Sequence, residues 1–213
     1  QQLQFRGRTL PPIDQDDSHS SMSVERLEDE LRVPLAMIAA RGDTEPRLTV
    51  RASPELTYSV LRIVVGTALE FGIEDIRLTL STDERNAVPV PDRPSDPLEP
   101  VERRPDRLFL LVERDGFRVR TPDSDEAIDI EGHDLRRLYN TLGESRADRA
   151  ELTTVVMGVE DGAPVAAVSN VLRQLRRQLE KTTYDEPDAY REAFDSASGD
   201  DALFDDVMLV SSG

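Results

Sequence analysis

Residues 47–80, RLTVRASPELTYSVLRIVVGTALEFGIEDIRLTL, change hydrophobic period twice. Leu48, Val50 and Ala52 alternate, as one face of a strand does. Tyr58, Leu61, Val64, Val65 and Ala68 then step by three and four, as one stripe of a helix does. IEDIRLTLS, residues 73–81, returns to alternation, with Arg77 and Thr79 on the opposite face from Leu78 and Leu80. The stretch therefore predicts strand, helix, strand.

The same pattern recurs. At an offset of 107, Val155, Met157 and Val159 stand for Leu48, Val50 and Ala52, and Val165, Val168, Val171, Leu172 and Leu175 stand for the helical stripe. The closing strand returns at an offset of 131 as FDDVMLVSS, residues 204–212, which leaves about 24 extra residues before it. Upstream, Val24, Leu27 and Leu31 match Leu135, Leu138 and Leu142 at an offset of 111, marking a further amphipathic helix in each copy. Each copy reads as strand, helix, strand, helix, strand.

Local signals place the flanks. Gln2 to Phe5 is a short strand candidate, and SVERLEDELRV is a helix capped by Ser23 and ended or kinked by Pro34. RLFLLVERDGFRVR reads as a hairpin turning at Asp115 and Gly116, and Asp134 or His133 opens the helix around Leu135. Residues 82–106 hold six of the 14 prolines and no hydrophobic period, so an extended connector is expected there. The resulting expectation is an α+β fold of two tandem small domains, each a sheet with two helices packed on one face. The first spans 1–81 and the second 107–213, with an insertion near 182–202.

Composition narrows the function classes. The 213 residues carry a formal charge of −17, which argues against nucleic acid, since phosphate binding needs a cationic surface that releases counterions. With no cysteine there is neither a disulfide framework nor a thiolate chemistry. No run approaches the roughly 18 apolar residues of a membrane span.

The copies differ on the second face of their strands. Copy one places Thr49, Arg51, Arg77 and Thr79 there, whereas copy two places Val156, Met208 and Val210. Exposing the latter forgoes roughly 1.5 to 3 kcal/mol per side chain, so a cover is expected. The candidates are the sheet of copy one and the insertion, where Tyr190 and Phe194 stand four apart on a short helix. A basic stripe, Arg173, Arg177 and Lys181, is read on the helix face opposite Val168, Leu172, Leu175 and Leu179. It is a candidate contact for an anionic surface, or for the insertion, which holds seven acids and one Arg.

Catalytic signals are sparse. His19 and His133 each have acids nearby but read as loop or helix-start residues, and Asp123, Asp125 and Asp129 lack the glycine and closing glutamate of a calcium loop. No phosphate loop, nucleophile elbow or zinc-protease motif occurs, so no catalytic, cofactor or metal residue is assigned and no enzyme activity is expected.

RLTVRASPELTYSVLRIVVGTALEFGIEDIRLTL, with its Phe71-Gly72-Ile73 step, resembles the periplasmic domain of ExbD/TolR-type biopolymer transport proteins. TTVVMGVEDGAPVAAVSNVLRQL with FDDVMLV resembles it again, and LVERDGFRV is similar to the family's first hairpin. The resemblance implies a periplasmic, non-enzymatic part of a stator-like subunit linked to the proton-motive force. Its inner-membrane anchor would precede Gln1 and pair with a ring-forming ExbB/TolQ-like protein. It also implies dimers, as a homodimer or an intrachain pseudo-dimer, and contact with an envelope protein or peptidoglycan. A strand edge at Leu78 and Leu80, or at Val207 and Leu209, offers a route for an extended partner. The alternative is a soluble small-molecule-binding or regulatory protein with tandem α+β domains.

Overall fold

The computed structural model of the chain describes residues 4–5, 8–9, 29, 31–37, 39–40, 47–80, 87–91, 104–197 and 201–211. They form an α+β protein that divides into two compact units, Gln1–Val90 with Pro164–Ser169, and Pro91–Ala163 with Asn170–Gly213. The expected Ser23 cap, His19 and Gln2 lie outside the described residues.

The first unit holds β1 (Gln4–Phe5), β2 (Arg8–Thr9), helix α1 (31–37), β3 (Arg47–Arg51), α2 (Tyr58–Glu70), β4 (Asp75–Thr79) and β5 (Val88–Pro89). Its sheet order is β2-β1-β3-β4-β5. Strands β3 and β4 run parallel, Arg47 opposite Asp75 through Arg51 opposite Thr79, as a helical crossover requires. The buried stripe of α2 is the one its spacing predicts, Tyr58, Leu61, Val64, Val65 and Ala68. The helix stops at Gly72, whose φ of 72° suits a residue without Cβ. Gly72 N–H donates to Leu69 O and Ile73 N–H to Ala68 O, the paired bonds of a Schellman stop, and Ile73 is fully buried behind it.

In the second unit, β6 (Arg107–Val112), β7 (Gly116–Arg120), β8 (Ile128–Glu131), α3 (Leu135–Asp148), β9 (Thr154–Val159), α4 (Val165–Leu175), α5 (Pro187–Ser196) and β10 (Asp206–Ser211) follow in sequence. The sheet order is β10-β9-β6-β7-β8. Strand β9 runs parallel to both β6 and β10, with Thr154 opposite Arg107 and Asp206. The β9–β10 register thus repeats that of β3–β4 at the offsets of 107 and 131. Leu108, Leu110, Val112, Val155, Met157 and Val159 are buried on one face of this sheet. As expected, Asp134 caps α3, its carboxylate accepting from Arg137 N–H at 2.9 Å. Division between the units passes through α4. Inside the first unit, Val165 N–H donates to Leu56 O at 2.7 Å and Ala166 N–H to Pro54 O at 3.3 Å, so Pro164–Ser169 departs from the expected 107–213 domain.

Three further expectations are corrected. The 82–106 stretch is not all connector, because Val88 pairs with Leu78, Pro89 with Arg77, and Val88 and Val90 are buried. Two residues among prolines carry no readable period, and Pro89 suits an outer strand, where a missing N–H costs no ladder bond. Of the two outcomes expected at Pro34, an end is excluded, because helix α1 continues through it to Met37, with Leu31 and Leu35 buried one turn apart. Finally, the insertion does not cover the second face of β9 and β10. Val156 is buried and Met208 and Val210 are half-buried, yet α5 takes its contacts from α3 and the end of α4. On that second face Val156 lies in register between Phe109 and Met208, and a Cβ added to Gly158 would touch Leu111 and Val210.

Candidate partner surface

Two features could meet a partner, a sheet edge and the docked insertion. Among the described residues β10 pairs only with β9, so its outer row of backbone N–H and C=O groups is open. Val207 is half-buried and Leu209 buried on this strand. At Leu78 and Leu80 the expected edge is corrected, since β4 lies inside its sheet. Val88 faces Leu78, Val90 N–H donates to Ile76 O, and Leu80 lies just past the strand.

The basic stripe is rearranged. Helix α4 ends at Leu175, so Arg177 and Lys181 lie beyond it and the predicted helical face stops at Arg173. The chain turns there because Leu203 and Phe204 N–H both donate to Leu175 O, and Gln178 N–H donates to Asp201 O. Arg173 and Arg177 stack over the Phe194 ring, 5.6 and 4.7 Å from its centroid, and Arg177 donates to Phe194 O at 2.8 Å. Burial and then the neighbouring Arg173 lower the pKa of Arg177. Both arginines are committed to the insertion, while exposed Lys181 contributes its backbone.

A cluster of tyrosines holds the insertion to α3. Tyr139, Tyr184 and Tyr190 surround one another with ring centroids about 6 Å apart, and Phe194 extends the cluster from Tyr190. Tyr139 donates its hydroxyl to Lys181 O and accepts from Leu179 N–H. Asn140 grips Tyr184 on both backbone groups, its Nδ2 donating to the carbonyl and its Oδ1 accepting the N–H. Arg136 donates to the carbonyls of Tyr184 and Asp185. Tyr190 donates to the fully buried Gln174 Oε1, and burial pushes the Tyr190 pKa well above the usual phenol range. Gly143 allows the loop this close, since a Cβ there would lie 2.5 Å from Thr182 O.

Of the cluster, sequence reading singled out Tyr190, Phe194, Arg173 and Arg177 but missed Tyr139, Asn140, Gly143, Gln174 and Tyr184. One signal was available. Three of the chain's four tyrosines join the cluster, and a concentration of that kind marks a built contact.

The remaining polar candidates each have a neighbouring partner. His133 follows Gly132 in the left-handed region, φ 54°, with Nε2 3.0 Å from Glu113 O and its ring edge-on to Phe117. Asp123 pairs with Arg149 and Asp129 with Arg118. Among the described residues no group of three or more His, Asp or Glu is placed to hold a metal ion, and no helix is long and apolar enough to cross a membrane. No protein-family model, curated protein or solved structure matches this chain.

Proposed function

We propose that the chain is the extracytoplasmic, non-enzymatic part of a stator-like subunit of the ExbD/TolR type, which works by holding an envelope partner rather than by chemistry. The observation that carries this reading is the open edge of β10. A backbone ladder pairs with another backbone, which favours an extended segment of an envelope protein over peptidoglycan glycan strands. The repeated parallel strand–helix–strand register supports the resemblance from which the reading starts. In this reading the ring-forming ExbB/TolQ-like partner engages an inner-membrane anchor outside the present chain.

Expression of the natural full-length product in its own cell tests the proposal, with a photo-crosslinking residue at Met208 on β10 and a control at Glu131 on the opposite edge strand. The expected result is an adduct with an envelope protein from position 208 alone, together with an active C-terminal alkaline phosphatase fusion. Equal adducts from both positions would refute the edge. A fusion active only with a cytoplasmic reporter would refute the location.

A further inference from the structure

We propose that α5 is the resident occupant of a helix-binding groove on the second unit, and that an acidic amphipathic helix from a partner protein, anchored by two aromatics one turn apart, can take its place. The geometry is that of a helix laid in a groove. Tyr190 is the one buried residue of α5, Phe194 lies one turn further on, and the remaining positions are exposed or half-exposed. Tyr139 on α3, Gln174 on α4 and the Arg173–Arg177 pair form the walls.

The resident helix leaves its groove incompletely matched. Gln174 is fully buried, and although its Oε1 accepts from Tyr190, its Nε2 has no hydrogen-bond partner. Arg173 and Arg177 share one aromatic ring, and among the described residues neither has a carboxylate within ion-pair distance. The acids of α5 are exposed; Asp188 pairs with Arg191, and Asp195, beside Phe194, acts on Arg177 from beyond ion-pair distance. A helix that brought a carboxylate within ion-pair distance of the guanidinium groups would give them a direct anionic partner, which Asp195 is not, and an acceptor beside its first anchor would satisfy Gln174. Such a ligand makes contacts that the resident helix lacks, and it displaces α5 where these outweigh the effective concentration of the tethered helix. The cationic wall also selects an acidic helix despite the overall charge of −17.

The test uses the full chain and a labelled synthetic peptide of residues 184–197. The Tyr190→Ala/Phe194→Ala double variant, its groove vacated, is expected to bind this peptide at least about tenfold more tightly than the wild-type chain. Adding Arg173→Ala and Arg177→Ala is expected to abolish the difference. Equal binding to the wild type and the double variant overturns the proposal, and so does no binding to a double variant whose α3 and α4 amides are still protected. Should the double variant fail to fold, amide exchange on the wild-type chain decides. Exchange in α5 through an opening that leaves α3 and α4 protected supports displacement, and exchange in α5 only with global unfolding overturns it.

Discussion

Gly143→Ala isolates the docking of the insertion with a single methyl group. The added Cβ would lie 2.5 Å from Thr182 O and 3.1 Å from Thr182 Cγ2. A main-chain oxygen cannot rotate aside, so either α3 or the loop after α4 must shift. Overpacking of this kind costs about 1 to 3 kcal/mol. The loop is fixed where the methyl intrudes, by Asn140 on both backbone groups of Tyr184 and by the Tyr139 hydroxyl between Leu179 and Lys181. Each such bond contributes about 1 kcal/mol net, so losing two adds about 2 kcal/mol. Alanine in a helix interior recovers only about 0.5 to 1 kcal/mol relative to glycine. The expected outcome is a net loss of about 2 to 4.5 kcal/mol in urea unfolding, with faster amide exchange concentrated in residues 177–196. A variant as stable as the wild type, with exchange unchanged in that segment, would refute the docking argument.

Two other perturbations address the remaining charges. Hydrogen bonding from Arg47, reinforced by Arg77, holds the Asp75 carboxyl below its ordinary value of 3.8. A depressed folded pKa means stability that is present above the unfolded value and lost as pH falls through the folded one. Urea midpoints of the first unit should therefore drop below about pH 4, and Asp75→Asn should flatten that drop. An unchanged acid limb in the variant would remove Asp75 from the account. Replacing Arg173, Arg177 and Lys181 together by alanine should speed exchange in α5 and cost about 1 kcal/mol, leaving any binding to anionic vesicles unaltered. Salt-dependent vesicle binding that disappeared in this triple variant would restore the surface-contact reading of the stripe.

Legibility followed the range of the interactions. The β3–α2–β4 and β9–α4–β10 units could be read because each strand or helix face is set by residues two to four positions apart. The same applies to the Asp134 cap and to α5, where Tyr190 and Phe194 announce a helix. Signals without a period could not be read. Val88 and Pro89 join the first sheet through bonds to β4, and nothing within the proline-rich stretch itself distinguishes them. The end of α4 was misplaced because Leu179 keeps the helical spacing and is buried as expected, although the chain has already left the helix.

The sequence by itself determined the α+β class, the repeated strand–helix–strand order and the acidic character that argues against nucleic acid, since these depend on local period and summed charge. Only the tertiary structure decided where the insertion docks and which strands stand at the sheet edges among the described residues. Docking joins Gly143 to Thr182 and Tyr139 to Lys181 across roughly forty residues of chain, and an edge is defined by the absence of a neighbouring strand. Both depend on what long-range folding brings alongside, a property that no window of sequence contains.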